Sequence, residues 1–177
     1  MLKRSICASA LGLAALYAGH ACAAGYDIGT PVTGSALAAW NIDVAPDGHG
    51  LPAGSGDVAH GKAVFAAKCA MCHGAEGQGG IGDKLVGGRG TLASDKPVHT
   101  IGSYWPYATT LFDYIRRAMP YNAPESLSAD DVYALSAYLL NLNGVVPAST
   151  RLDAKSLPKV KMPNRDGFVP DPRPGTL

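Results

Sequence analysis

Cys69-Ala70-Met71-Cys72-His73 is the stretch that decides how this 177-residue chain is read. Two thiols three positions apart share one turn, so each can form a thioether to a vinyl group of a haem. The imidazole next to them then reaches the iron from the proximal side. This spacing predicts one covalently attached haem c, with Cys69, Cys72 and His73 binding the cofactor and His73 ligating its metal. Half a zinc site is the competing reading. It needs further ligands, and His49, His60 and His99 stand far apart with no paired spacing. A redox dithiol belongs after a strand in a βαβ pattern, which is not visible here.

Residues on either side agree with that reading. Asp57 is an N-cap for a helix running to Lys68, with Val58, Val64, Phe65 and Ala66 at helical spacing, and it delivers the cysteines. Gly74 to Gly80 is too glycine-rich for regular structure and suits a loop passing close to a flat cofactor edge.

A haem that only moves electrons needs a second axial ligand. Met71 lies inside the attachment motif and cannot reach the other face of the ring. Met119 ends the apolar-periodic segment of Leu111, Ile115 and Ala118, and Pro120 turns the chain there. Met119 is therefore preferred over Met162, which is also followed by proline but lies in the tail. His99 and His49 rank below both. With Met119 as the second metal ligand both axial sites are filled, and electron transfer through an exposed haem edge is favoured over oxygen or peroxide chemistry.

Residues 1–23 read as a signal peptide. Lys3 and Arg4 are its basic end, Ile6 to Ala18 its apolar stretch, and Ala21-Cys22-Ala23 its small-residue cleavage site. An anchoring helix is the alternative, disfavoured by the short stretch and the missing stop-transfer flank. Export to the periplasm is expected, with no membrane insertion after signal removal. Cys7 and Cys22 leave with the leader, so the mature chain keeps only Cys69 and Cys72. Loss of Lys3 and Arg4 leaves 13 basic against 14 acidic side chains, a formal charge of −1, which is a poor surface for nucleic acid.

The remainder divides into an extended arm over 24–56, a haem domain over 57–143 and a Pro-rich tail over 144–177. The arm carries Asp27, Asp43 and Asp47 with no Lys or Arg, and one helical turn at Ser35 to Trp40. The domain closes with a helix capped by Ser128, with Asp131 three residues on. Val132, Leu135, Leu139 and Leu142 line one face of it before Gly144 stops it. The fold class is all-α. Between these helices Tyr104-Trp105-Pro106-Tyr107 packs either beside the macrocycle or into ordinary core, and Arg116 and Arg117 form a solvated face or a docking patch. The tail wraps a surface or waits for a partner.

Across about 57–143 the chain resembles the class I cytochrome c family: a helix into the haem motif, a late methionine, then a terminal helix. That family packs a glycine and an aromatic of its first helix against an aromatic of its last, places that Gly61, Phe65 and Tyr138 with Leu135 match. Many members orient the ligand histidine with the carbonyl of a proline a dozen residues on. Here Asp83-Lys84-Leu85 has none, which leaves the acceptor for His73 Nδ1–H open.

A longer resemblance covers Tyr26-Asp27-Ile28-Gly29, Trp40 to Val44 with Pro46-Asp47-Gly48, Gly87 to Leu92, Thr100 to Pro120, and Met162 to Phe168. These stretches are similar to the cytochrome subunit of the sulfane dehydrogenase of the periplasmic thiosulfate-oxidising (Sox) system. That resemblance implies a molybdenum-cofactor dehydrogenase subunit as partner, this chain acting as its electron-transfer subunit rather than as an enzyme by itself, and an unknown downstream acceptor. A cytochrome subunit of a sulfite dehydrogenase and a free diffusible carrier are the alternatives.

Overall fold

The computed structural model describes residues 28–170 and 172–173. The leader at 1–23 lies outside them. The chain divides into two units, one ending at Ala38 and the other beginning at Ala39. In the first, helix α1 (Gly34–Ala38) is a single turn with no buried residue. Thr33 Oγ1 accepts from the Ala36 N–H at 3.3 Å and starts it.

The second unit is built on helices α2 (Val58–Lys68), α3 (Ala70–His73), α4 (Ala108–Ala118) and α5 (Ala129–Leu142). Asp57 and Ser128 begin α2 and α5 as their sequence positions predict. The Asp57 carboxylate accepts from His60 N–H at 2.9 Å, and Ser128 Oγ accepts from Asp131 N–H at 3.1 Å. Each satisfies one of the donors that a helix start leaves free.

Helix α5 is the centre of the core. Every residue from Val132 to Leu140 is buried, so the single apolar face expected from Val132, Leu135, Leu139 and Leu142 is too narrow. The reason is that α5 packs on α2, on α4 and on a small ribbon at once. On α2 the buried positions are Val58, Gly61, Val64 and Phe65, while Ala66 faces solvent. The Phe65 and Tyr138 rings sit 5.4 Å apart between centroids, the contact that the class I resemblance implies. Phe112 of α4 meets Tyr133 at 4.5 Å.

No sequence pattern marks the ribbon. Strands β1 (Ser55–Asp57) and β2 (Arg151–Asp153) pair antiparallel with Gly56 opposite Leu152. Gly56 is required there, because a Cβ would stand 2.6 Å from the Ala134 Cα of α5. The chain after Gly144 stays on the domain: Leu152, Leu157 and Met162 are all buried.

Residues 42–52 are tied down as well. Tyr133, wholly buried, donates its hydroxyl to the Pro52 carbonyl at 2.8 Å. Burial and the nearby Asp153 charge push that phenol up to about 12, against a smaller opposite pull from Arg116, so it stays a neutral donor. Arg117 binds both Asp43, at 2.9 Å, and Asp113, and the Asp113 carboxylate accepts from Val44 N–H at 3.1 Å. Arg116 reaches the Ile42 carbonyl at 3.4 Å. The two arginines, expected as a solvated face or a docking patch, instead fasten residues 42–44 to α4.

Candidate functional site

Helix α2 runs into the motif with a change of direction at Cys69, whose N–H still bonds to the Phe65 carbonyl at 2.9 Å. Helix α3 then carries Ala70 to His73 on one turn, with the His73 N–H on the Cys69 carbonyl at 3.0 Å. Cys69 and Cys72 are free thiols, both half-buried, while Met71 between them is 86% exposed. The structure thus brings Cys69, Cys72 and His73 together, with the two sulfurs on one turn and Met71 facing away from the core.

Burial pushes the Cys69 thiol up to about 11; the Lys68 charge lowers it and Cys72 raises it slightly. A thiol so shifted is protonated at neutral pH, unlike the low-pKa thiolates of redox dithiols. Among the described residues no group of three or more His, Cys, Asp or Glu side chains could hold a metal ion. Both observations weigh against the zinc and dithiol readings.

The acceptor that sequence leaves open is the Asp83 carbonyl, 2.7 Å from His73 Nδ1. A carbonyl only accepts, so Nδ1 carries the proton and Nε2 keeps its lone pair for a ligand. The glycine-rich loop brings that carbonyl back. Gly79 N–H bonds to the His73 carbonyl at 2.8 Å and Gly82 N–H to the Cys72 carbonyl at 2.9 Å. Gly82 lies on the imidazole itself, and a Cβ there would be 2.9 Å from Cε1 and 3.0 Å from Nδ1. No sequence signal marks Asp83, because every residue has a carbonyl; Gly82 is legible only once the loop is seen to fold back.

Below the loop, Leu85 N–H bonds to the Gly77 carbonyl at 2.9 Å. The Asn143 amide at the end of α5 bonds to Leu85 and Gly87, and Thr100 Oγ1 donates to the Gly87 carbonyl at 2.6 Å. Thr100, buried, shares a hydroxyl network with Ser103 that starts the segment leading to α4.

Met119 comes from a different element. It caps the C-terminus of α4 with extended backbone, its N–H on the Ile115 carbonyl, and is half-buried against the core. Met162 is 3% exposed, inside the hydrophobic core. His49 and His99 are both exposed, the His99 ring lying tilted against Tyr104 at 4.5 Å between centroids. The aromatic cluster is the seat of the tail: Tyr104 meets Phe168 at 5.2 Å, Arg165 lies over Tyr107 at 4.3 Å, and Asn164 Nδ2 donates to the Tyr104 carbonyl at 2.7 Å. Trp105 packs edge-on against Tyr114. No helix among the described residues is long and apolar enough to cross a membrane.

Cys69, Cys72, His73 and Met119 all lie within the stretch that a family model matches. The family model for cytochrome c matches residues 58–143. The crystal structure of the sulfane dehydrogenase SoxCD from Paracoccus pantotrophus aligns with a TM-score of 0.79 and 45% identity, over 85% of this chain and 75% of that one. Thiosulfate dehydrogenases of Psychrobacter arcticus and Stutzerimonas stutzeri are each 30% identical, over 53% and 59% of this chain. That of Allochromatium vinosum is 27% identical over 66%. The chain spans only 28%, 37% and 39% of the length of these three relatives. On these grounds the chain belongs to the cytochrome c family, electron-transfer proteins whose cofactor is covalently bound haem c.

Proposed function

We propose that this chain is a one-haem electron-transfer subunit that accepts electrons from a molybdenum-cofactor sulfane dehydrogenase in periplasmic thiosulfate oxidation. The observation that carries this reading is the likeness to the SoxCD sulfane dehydrogenase, at 45% identity over 85% of the chain. Its sequence holds a single Cys-x-x-Cys-His, at Cys69 to His73, which supports one haem.

Cys69 and Cys72 would hold the cofactor by thioethers, and His73 and Met119 would ligate its iron. When bound, the haem supplies a one-electron iron couple. The protein does the rest. Asp83, accepting from Nδ1–H, fixes the tautomer and plane of His73 and raises the basicity of Nε2. Gly82 leaves the ring room to lie flat. The Met119 thioether, a soft donor, would favour the ferrous state and raise the potential over a bis-histidine site. Met162, enclosed in the core, serves packing.

Residues 1–23 direct the chain to the periplasm and are removed there. Purification from native periplasm tests the assignment. Co-elution with a molybdenum-containing subunit, and haem reduction by carrier-bound sulfane but not by sulfite, is the expected result. Reduction by sulfite alone supports the cytochrome of a sulfite dehydrogenase, and monomeric elution without molybdenum supports a free carrier.

A further inference from the structure

Asp83 and Lys84 are both exposed, yet the Asp83 carbonyl must hold a fixed place to keep its 2.7 Å bond to His73. The restraint lies two residues further on. Asn143, the residue that ends α5, spends its side-chain amide on three partners. Nδ2 donates to the Leu85 carbonyl at 3.1 Å and to the Leu139 carbonyl of its own helix at 2.9 Å, while Oδ1 accepts from Gly87 N–H at 3.2 Å. Carbonyls only accept and the backbone N–H only donates, so this pattern fixes which end of the amide is which. Gly102 makes room for it, since a Cβ there would overlap Asn143 Oδ1. The loop is thereby clamped on both sides of Lys84: by the Cys72 carbonyl at Gly82, and by α5 at Leu85 and Gly87.

We propose that Asn143 is a positioning residue for the proximal histidine. Resting on the reading of His73 as iron ligand, it sets the strength of the His73–Asp83 hydrogen bond and so the reduction potential. A strong bond from Nδ1–H lends the imidazole anionic character and stabilises ferric iron; a loosened one favours ferrous iron. Asn143 is thus the link through which the core helix fixes the redox poise of the site.

The test uses the haem-loaded protein. Asn143→Leu removes all three side-chain bonds at similar size, and Asn143→Asp keeps the acceptor for Gly87 but turns an oxygen on the Leu85 carbonyl. Gly102→Ala displaces the amide without altering it. All three are expected to shift the one-electron reduction equilibrium about tenfold toward the ferrous form, about 59 mV for one electron. A purely structural role lowers the melting temperature and leaves the potential in place, and that result overturns the proposal.

Hydrogen exchange on the wild-type holoprotein gives a second readout that needs no variant to mature. His73 Nδ1–H and Gly87 N–H are expected to exchange at one common rate, because the loop opens as a unit. Exchange of the His73 proton while Gly87 N–H stays protected contradicts the proposal. If the wild-type haem lacks low-spin His/Met bands, the ligand assignment fails and this proposal falls with it. Intact bands with an unmoved potential in the variants overturn the role of Asn143 alone.

Discussion

Gly61 faces the backbone of Ala134 so closely that a Cβ would overlap the Ala134 carbonyl oxygen and stand 2.8 Å from the Tyr138 Cβ. This is where α2 and α5 cross, and the contact also sets the Phe65–Tyr138 pair one turn further along. Because α2 ends in the attachment motif, the crossing fixes where Cys69 enters the site. Neither side of the contact is a side-chain tip that could swing away. Gly61→Ala should therefore cost about 2–3 kcal/mol, the upper range for forcing a methyl group into a packed core. The check is thermal unfolding of the haem-loaded variant, where a change under about 0.5 kcal/mol would mean that the helices slide apart freely.

The Ser128 cap makes a separate prediction. Ser128→Ala removes the acceptor for Asp131 N–H, with an expected loss of about 1 kcal/mol in urea denaturation. Asp57 caps α2 in the same way, so Asp57→Ala should cost a similar amount, together with its bond to Arg151.

Acid stability depends on Asp131. Burial raises its carboxyl, but bonds from Ser128 and His60 outweigh that and hold it below the ordinary carboxylate value. A lowered folded-state value means that the unfolded chain takes up the proton first as pH falls. The contribution of Asp131 is thus complete above the unfolded value of about 3.9 and is lost on further acidification through the folded value. Asp131→Asn should flatten this acid limb, measured as unfolding free energy from about pH 6 to 2. An unchanged slope would show that the carboxylate gains nothing from its partners.

Asp113, 8% exposed, accepts from Val44 N–H and pairs with Arg117. Asp113→Ala leaves the Val44 N–H without its acceptor and Arg117 with only the exposed Asp43, and should free residues 42–44. Limited proteolysis is expected to cut there several times faster than in the native protein. Arg117→Ala should have a weaker effect, because the Val44 bond survives it and the pair with Asp43 is exposed.

Methionine variants separate the two candidates. In the haem-loaded protein Met119→Ala should abolish the weak red absorption of a sulfur–iron bond and lower the potential. Met162→Leu should keep the band and cost under about 1.5 kcal/mol of stability, as a volume-conserving core change. The reverse pattern would reassign the ligand.

The parts of this molecule legible in the sequence are those governed by local chemistry. Asp57 and Ser128 announce helix starts because their short side-chain oxygens reach the free N–H groups of the next turn, and the period of Leu111 and Ile115 marks α4 up to Met119-Pro120. The motif at Cys69 to His73 carries its chemistry in its spacing. The hidden parts depend on contacts distant in the chain. The pairing of Ser55–Asp57 with Arg151–Asp153 joins three-residue strands with no alternating pattern. Arg116 and Arg117 look like any solvated pair until Asp43 and the Ile42 carbonyl are brought beside them. The hold on His73 runs through a backbone carbonyl, which no residue type betrays.

The central claim, a haem welded to Cys69 and Cys72, is tested most directly by the intact mass of the chain matured in a host competent for cytochrome c assembly. The account predicts the polypeptide plus one haem, retained through acid–acetone extraction, and the same chain without that addition when both cysteines are replaced by alanine. A mature wild-type protein with the mass of bare polypeptide would contradict it.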